Sequence, residues 1–164
     1  MYVGDAGIVE PGGKTRRMGI DLSARYQFNR WLYGDFDLNL TRAKSVDVAK
    51  GEDHVPLAPS FTSIGGLTAN IKNGFSGSLR YRFIDSRPAN EFNTVRAKGY
   101  FISDLVLGYA SKKIEFHLSI ENIFNTEWRE AQFDTESRLF FEPNPVSEIH
   151  YTPGTPGYIK EELV

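Results

Sequence analysis

From Met18 to Phe28 apolar and polar side chains alternate without a break, and this period of two constrains the fold more than any other feature of the chain. Met18, Ile20, Leu22, Ala24, Tyr26 and Phe28 fall on one side of an extended strand, with Gly19, Asp21, Ser23, Arg25 and Gln27 on the other. The split arises because successive side chains in a strand point to opposite faces. Eleven residues is long for a soluble strand but suits one crossing a bilayer at a tilt.

The same period recurs in six stretches, at roughly 17–28, 32–42, 60–71, 75–85, 99–110 and 114–124. Short turns at 29–31, 72–74 and 111–113 join them in pairs, and Lys72-Asn73-Gly74 is well suited because Asn and Gly tolerate positive φ. Longer polar segments at 43–59, 86–98 and 125–157 separate the pairs. Short and long connections therefore alternate, which puts all short turns at one end of an antiparallel sheet. Bacterial outer-membrane barrels carry tight periplasmic turns and long extracellular loops in that way.

The apolar face decides between water and lipid. Phe28, Trp31, Phe75 and Tyr109 lie near the short turns, whereas Phe61, Phe83, Tyr100 and Phe101 gather near the long connections. Aliphatic Leu22, Leu38, Leu79, Leu107 and Leu118 lie between, as between the aromatic girdles of a membrane barrel. These leucines are expected on the lipid side, with Asp21, Asp37, Arg80, Asp104 and His117 facing a wet lumen. The alternative is a soluble β-barrel or sandwich that turns its apolar face inward around a small apolar ligand.

Composition closes off other classes. A net charge of -2 without a basic run argues against nucleic acid as a partner. The chain has no cysteine, so thiolate chemistry and disulfides are excluded. No apolar run approaches the roughly 20 residues of a transmembrane helix, and Met1 to Asp5 lacks the pattern of a signal peptide.

Catalytic signals are equally sparse. Gly74-Phe75-Ser76-Gly77 lacks nucleophile-elbow spacing, and the three histidines are dispersed, with Glu148-x-His150 reading as a solvated pair. Asn39-Leu40-Thr41 matches a glycosylation acceptor without meaning inside a strand. No enzyme activity and no cofactor are expected. Arg80 and Arg82 are the first ligand-contact candidates, since guanidinium groups grip carboxylates and phosphates bidentately, unless acidic residues on neighbouring strands claim them. His117 on the lumen side, and Trp128, Phe133, Arg138, Phe140 and Phe141 in the last long segment, complete the candidates.

The segment Ile120-Glu121-Asn122-Ile123-Phe124-Asn125-Thr126-Glu127-Trp128 resembles an Asn-Leu-Phe-Asn element near the C-terminus of TonB-dependent outer-membrane receptors. In that family it closes a late strand and opens an extracellular loop. Glu130 to Phe133, Glu136 to Leu139 and Pro145 to Pro156 look like the last long loop of one receptor subgroup. Gly4-Asp5-Ala6-Gly7 with Arg16-Arg17, Val55 to Pro59 and Asp104 to Tyr109 fit the same register.

The resemblance implies an all-β fold, an antiparallel up-and-down meander of about six to seven strands belonging to a larger transmembrane barrel. It implies an outer-membrane location and uptake of a scarce ligand such as an iron chelate, a vitamin or an oligosaccharide. TonB would energise the uptake through a plug domain. A 22-stranded barrel at about 9–11 residues per strand needs over 200 residues for strands alone. Residues 1–164 are therefore expected to be a C-terminal portion of the barrel, without the plug and with only part of a closing strand after Pro156. Six strands and a fragment should leave open edges near 17–28 and 114–124, and the chain expressed alone should aggregate or pair through them.

Overall fold

The computed structural model describes residues 2–3, 9–10 and 13–163, so the Gly4-Asp5-Ala6-Gly7 segment lies outside the described residues. Thirteen strands are present among them: β1 (Tyr2–Val3), β2 (Val9–Glu10), β3 (Thr15–Gln27), β4 (Leu32–Ser45), β5 (Phe61–Asn70), β6 (Phe75–Ile84), β7 (Arg87–Pro88), β8 (Arg96–Ala97), β9 (Tyr100–Ala110), β10 (Glu115–Glu121), β11 (Arg129–Ser137), β12 (Val146–Pro153) and β13 (Tyr158–Leu163). Seven form one sheet in the order β13-β10-β9-β6-β5-β4-β3, and β1-β2, β7-β8 and β11-β12 are separate two-stranded ribbons. Every pairing in the large sheet is antiparallel.

The short turns form as their residues dictate. The Asn29 side-chain oxygen accepts the backbone N–H groups of Trp31 and Leu32 at 3.0 and 2.9 Å, an Asx-type closure. Gly74 holds φ at +88° beside the next hairpin, where a Cβ would lie 2.1 Å from the Ala110 carbonyl oxygen. The meander order places this turn, Asn29–Trp31 and Ser111–Lys113 at one end of the sheet.

Register fixes the faces. Leu22 lies opposite Leu38, Leu67 opposite Leu79, and Leu107 opposite both Gly77 and Leu118. All belong to one face, as the alternation predicts. Asp21, Asp37, Arg80, Asp104 and His117 share the other. On the apolar face Met18 is 62% and Ile20 67% exposed, and Tyr26, Leu40, Leu67, Phe75, Leu79 and Leu107 are exposed too. Among the described residues only Ala89, Ala97 and Ile102 are buried apolar side chains. A soluble sandwich hides its apolar face, so the soluble alternative fails here. Met18 to Phe28 covers about 33 Å along the strand, or about 25 Å along the normal at a 40° tilt, the height of a barrel's apolar band.

Aromatic pairs mark both ends of this belt. Phe75 and Tyr109 stand 4.6 Å apart near the short turns, and Phe61–Phe83 and Tyr81–Phe101 stand 5.4 and 5.7 Å apart near the long connections. Tyr100 does not belong to the girdle. It lies opposite Ile84, so its ring is on the lumen face, because adjacent residues of a strand cannot share a side.

Two further expectations change. Residues 125–157 are not an irregular loop but contain the β11–β12 hairpin, in register from Ala131↔Thr152 to Ser137↔Val146. The edge near 114–124 is not open, since β13 covers β10 from Phe116↔Leu163 to Glu121↔Tyr158. Among the described residues the sheet's free edges are β3 and β13. The short closing strand suffices because only seven residues of β10 need partners.

Candidate functional site at the lumen mouth

The lumen face is a lattice of polar pairs. Ser23 donates to Asp37, and the Asn39 amide donates to Asp21, across β3 and β4. The Arg80 guanidinium reaches Asp35 at 2.6 Å, across the whole width of β5. Register explains the reach: Asp35, Gly66 and Arg80 lie side by side on three successive strands. Gly66 has no side chain to intervene, and a Cβ there would come within 2.9 Å of Arg80 Cδ. Arg80 is thus claimed by a neighbouring carboxylate.

Arg82 is held more loosely. It meets Asp104 at 3.4 Å, with about half its side chain exposed, and its guanidinium lies 6.0 Å from the Trp128 ring centroid. Trp128 in turn packs on Tyr100 with centroids 4.9 Å apart. Ile102, on the lumen face opposite Arg82, is only 1% exposed, so the residues of the long connections fold over this end of the sheet.

Asn122 builds that cover. It follows the last residue of β10 and takes φ of +49°, while Asn125 takes +47°, left-handed positions that Asn tolerates better than most residues. The Asn122 amide donates to the Thr126 and Thr155 carbonyls at 2.9 and 3.3 Å, and its oxygen accepts the Thr126 N–H at 2.9 Å. Trp128 Nε1 also donates to the Thr155 carbonyl, at 3.0 Å, and the Gly157 N–H donates to Asn125 at 2.9 Å. Together these bonds bring residues 154–157 back to the end of β10, so that β13 can pair with it. Asp104 joins sheet and cover, accepting the Asn122 N–H at 2.9 Å with one oxygen while the other faces Arg82.

The three long connections interlock above this point. His54 and Leu57 donate backbone N–H groups to the Glu91 and Pro88 carbonyls. Gln132, 1% exposed, exchanges two 2.8 Å bonds with the Lys98 backbone. Asn90 donates to Asp134 at 2.8 Å, linking the β7–β8 segment to the β11–β12 hairpin.

The structure therefore brings Arg82 and Trp128 together, with Arg80 two residues away on β6. It does not bring His117 to them. That ring lies level with Gly108 and Ser76, toward the short turns, and meets Glu115 at 2.8 Å. It stands about 13 Å along the strand from the level of Arg80. Arg138 lies beyond the far end of the β11–β12 ladder, about 30 Å of extended chain from Trp128. Phe140 is fully and Phe141 largely exposed at that tip, and Phe133 is exposed on β11. Tyr100 was missed for this group, although its parity with Arg82's partner Ile102 places it on the lumen face. Arg87 and Gln132 carried no signal, because only tertiary packing buries them.

The family described as "TonB dependent receptor-like, beta-barrel" matches residues 3–123. No curated protein sequence matches the chain. Among solved structures, the ferric citrate transporter FecA in its unliganded form is similar with a TM-score of 0.72 at 16% identity, covering 99% of this chain and 26% of that one. The ferric-catecholate import receptor Fiu from K12 E. coli gives 0.69 at 20% identity, covering 98% and 22%. The ferric yersiniabactin uptake receptor FyuA from Yersinia pestis gives 0.66 at 17% identity, covering 93% and 24%. The chain spans about a quarter of the length of each of these receptors.

Proposed function

The chain belongs to the TonB-dependent receptor β-barrel family, and from that premise we propose that it supplies seven consecutive wall strands, toward the C-terminal side, of a barrel that imports a scarce small ligand across the outer membrane. The family is one of outer-membrane receptors and transporters, not enzymes. TonB, acting on a plug domain seated in the lumen, supplies the energy in this reading. The ligand is of the metal-chelate kind. That choice is supported by the ferric-chelate cargoes named for the structural relatives.

One observation carries the proposal: a belt of exposed apolar side chains on one face of the sheet and a lattice of paired charges on the other. Only a wall between lipid and water uses both faces in this way. Arg82, Trp128 and Tyr100 are the ligand-contact candidates at its mouth, with Arg80 bracing the wall beside them.

The test is chelate uptake by cells expressing the receptor that contains this chain, with and without functional TonB. Growth on a scarce iron chelate should require TonB. Equal uptake in both strains would overturn the energised reading.

A further inference from the structure

The lipid face has a recess beside Gly77. One level toward the long connections, Leu67, Leu79 and Leu105 stand side by side on β5, β6 and β9. At the level of Gly77 the row is Ala69, Gly77 and Leu107, and one level toward the short turns it becomes the Phe75–Tyr109 pair. Two small residues between two large rows leave an open groove of about 470 Å³, close to the volume of one fatty-acyl chain, with Phe116 and Leu118 bounding it on the β10 side. The backbone does not require this glycine. A Cβ at Gly77 would meet nothing nearer than Leu107 Cδ2, at an ordinary 3.4 Å. At Gly34, on the same face of β4, a Cβ would come within 3.0 Å of Leu67 Cδ2 and 3.2 Å of the Phe28 ring, so neighbours already crowd that gap.

Charge beside this groove has one sign. The Ala110 N–H donates to the Gly74 carbonyl at 2.9 Å, so the turn holding Lys72 and the turn holding Lys112 and Lys113 are neighbours. Lys72 is three residues before Phe75 and Lys112 three after Tyr109, within about 10 Å of chain from the aromatic pair. All three lysines are exposed, and among the described residues none is in an ion pair. No Asp or Glu occurs in residues 71–79 or 105–114, whereas residues 125–157, at the other end of the sheet, carry six carboxyl groups against two arginines. An apolar groove, an aromatic pair and then ammonium groups repeat the order of an anionic phospholipid: chain, interface, phosphate. Short turns face the periplasm in such barrels, so the matching lipid is one of the inner leaflet. A chain in the groove restores the dispersion contacts that an unfilled recess forfeits. We propose that the sheet binds one anionic phospholipid of the periplasmic leaflet, with an acyl chain lying over Gly77 and the phosphate at Lys72, Lys112 and Lys113. The proposal goes beyond the transport reading and rests only on its placement of the sheet in the membrane.

Native mass spectrometry of the whole receptor, purified in detergent, decides the matter when phosphatidylglycerol and phosphatidylethanolamine with identical chains are titrated in. Wild type should retain phosphatidylglycerol about fivefold more tightly than phosphatidylethanolamine. Replacing Lys72, Lys112 and Lys113 together with Gln should abolish that preference, while R30Q, in the turn between β3 and β4, should keep it. Gly77→Leu, which fills the groove, should lower phosphatidylglycerol retention about tenfold by displacing the chain. If Gly77→Leu fails to fold, weaker retention by Gly77→Ala still supports the site, and retention equal to wild type overturns it. Equal retention of the two lipids by wild type overturns it as well, as does a preference that survives loss of the three lysines or falls equally in R30Q. Dissociation of receptor dimers by Gly77→Leu, with lipid retention intact, would make the groove an interface between copies and also overturn the proposal. TonB-independent uptake beside Gly77-dependent retention would sink the energised reading alone. TonB-dependent uptake beside Gly77-independent retention would sink the lipid site alone.

Discussion

The seven-stranded sheet and the cover over its long-loop end are stabilised in opposite ways. The sheet has almost no core: its apolar side chains point outward, and its polar ones pair across strands. The cover turns polar groups inward, burying Gln132 and Asn122 among backbone partners and Arg87 with its Nη1 unpartnered among the described residues. In the sheet each residue's role follows from whether its position is odd or even, and neighbours repeat one another. In the cover single residues hold single contacts, and none can be inferred from a period. A sheet in lipid gains stability from many equivalent contacts, whereas a small polar lobe depends on a few satisfied hydrogen bonds.

The largest effect that separates the two should come from charging the lipid face. Leu79→Arg should cost about 2–4 kcal/mol near mid-bilayer, whereas Ser78→Arg, one residue away on the lumen face, should cost well under about 1 kcal/mol. Denaturant unfolding of the receptor in phospholipid vesicles compares them, and equal costs would reverse the facing of β6.

Next comes the cover. Asn122→Ala removes three hydrogen bonds and leaves a left-handed residue without its favoured side chain, about 2–3 kcal/mol of local stability. Faster hydrogen exchange should appear in residues 122–128 and 154–163, with the β3–β6 amides unchanged. Uniform loss of protection would mean that sheet and cover unfold together.

A smaller effect tests the lumen lattice. Gly66→Val would set a Cβ 2.3 Å from the Leu79 carbonyl oxygen and 2.9 Å from Arg80 Cδ, so it should shift the β6 backbone, force Arg80 away from Asp35 and cost about 1–2 kcal/mol. A structure of the variant with the Arg80–Asp35 contact intact would refute the role given to Gly66.

The smallest involves pH. Asp53, in the connection after β4, pairs with Lys44, which lowers its carboxyl below the usual value of 3.8, chiefly through their hydrogen bond. A carboxyl lowered in the folded state stabilises the loop fully above the unfolded pKa, and the effect fades as pH falls through the folded value. Carbon-detected NMR titration of Asp53 should find its midpoint below 3.8. A midpoint at or above that value would count the ion pair as solvent-separated.

Much of the sheet was legible because its signal is repeated. Leu22, Leu38, Leu79, Leu107 and Leu118 each needed only the local period to be placed, and the turns announced themselves through Asn29 and Asn73-Gly74. The candidate site was legible only in part. Arg82 and Trp128 were visible as residue types suited to ligand contact, but nothing local indicated that they meet, since 45 residues and two strand pairs lie between them. Tyr100 was misplaced by proximity to Phe101, where the period itself gave the correct face. The β11–β12 hairpin was missed because its strands, rich in Glu, Asp and Ser, carry no apolar face.

The sequence by itself determined the period, the facing of each wall strand, the alternation of short and long connections and the membrane character. Each of these depends on neighbours within a few residues, through the geometry of the extended backbone. The tertiary structure alone decided that β13 covers β10, that Gly66 opens a path from Arg80 to Asp35, and that Arg87 is buried with no partner for its Nη1 among the described residues. Those depend on residues far apart in the chain, whose meeting is set by strand register and loop closure, and no local pattern encodes that distance.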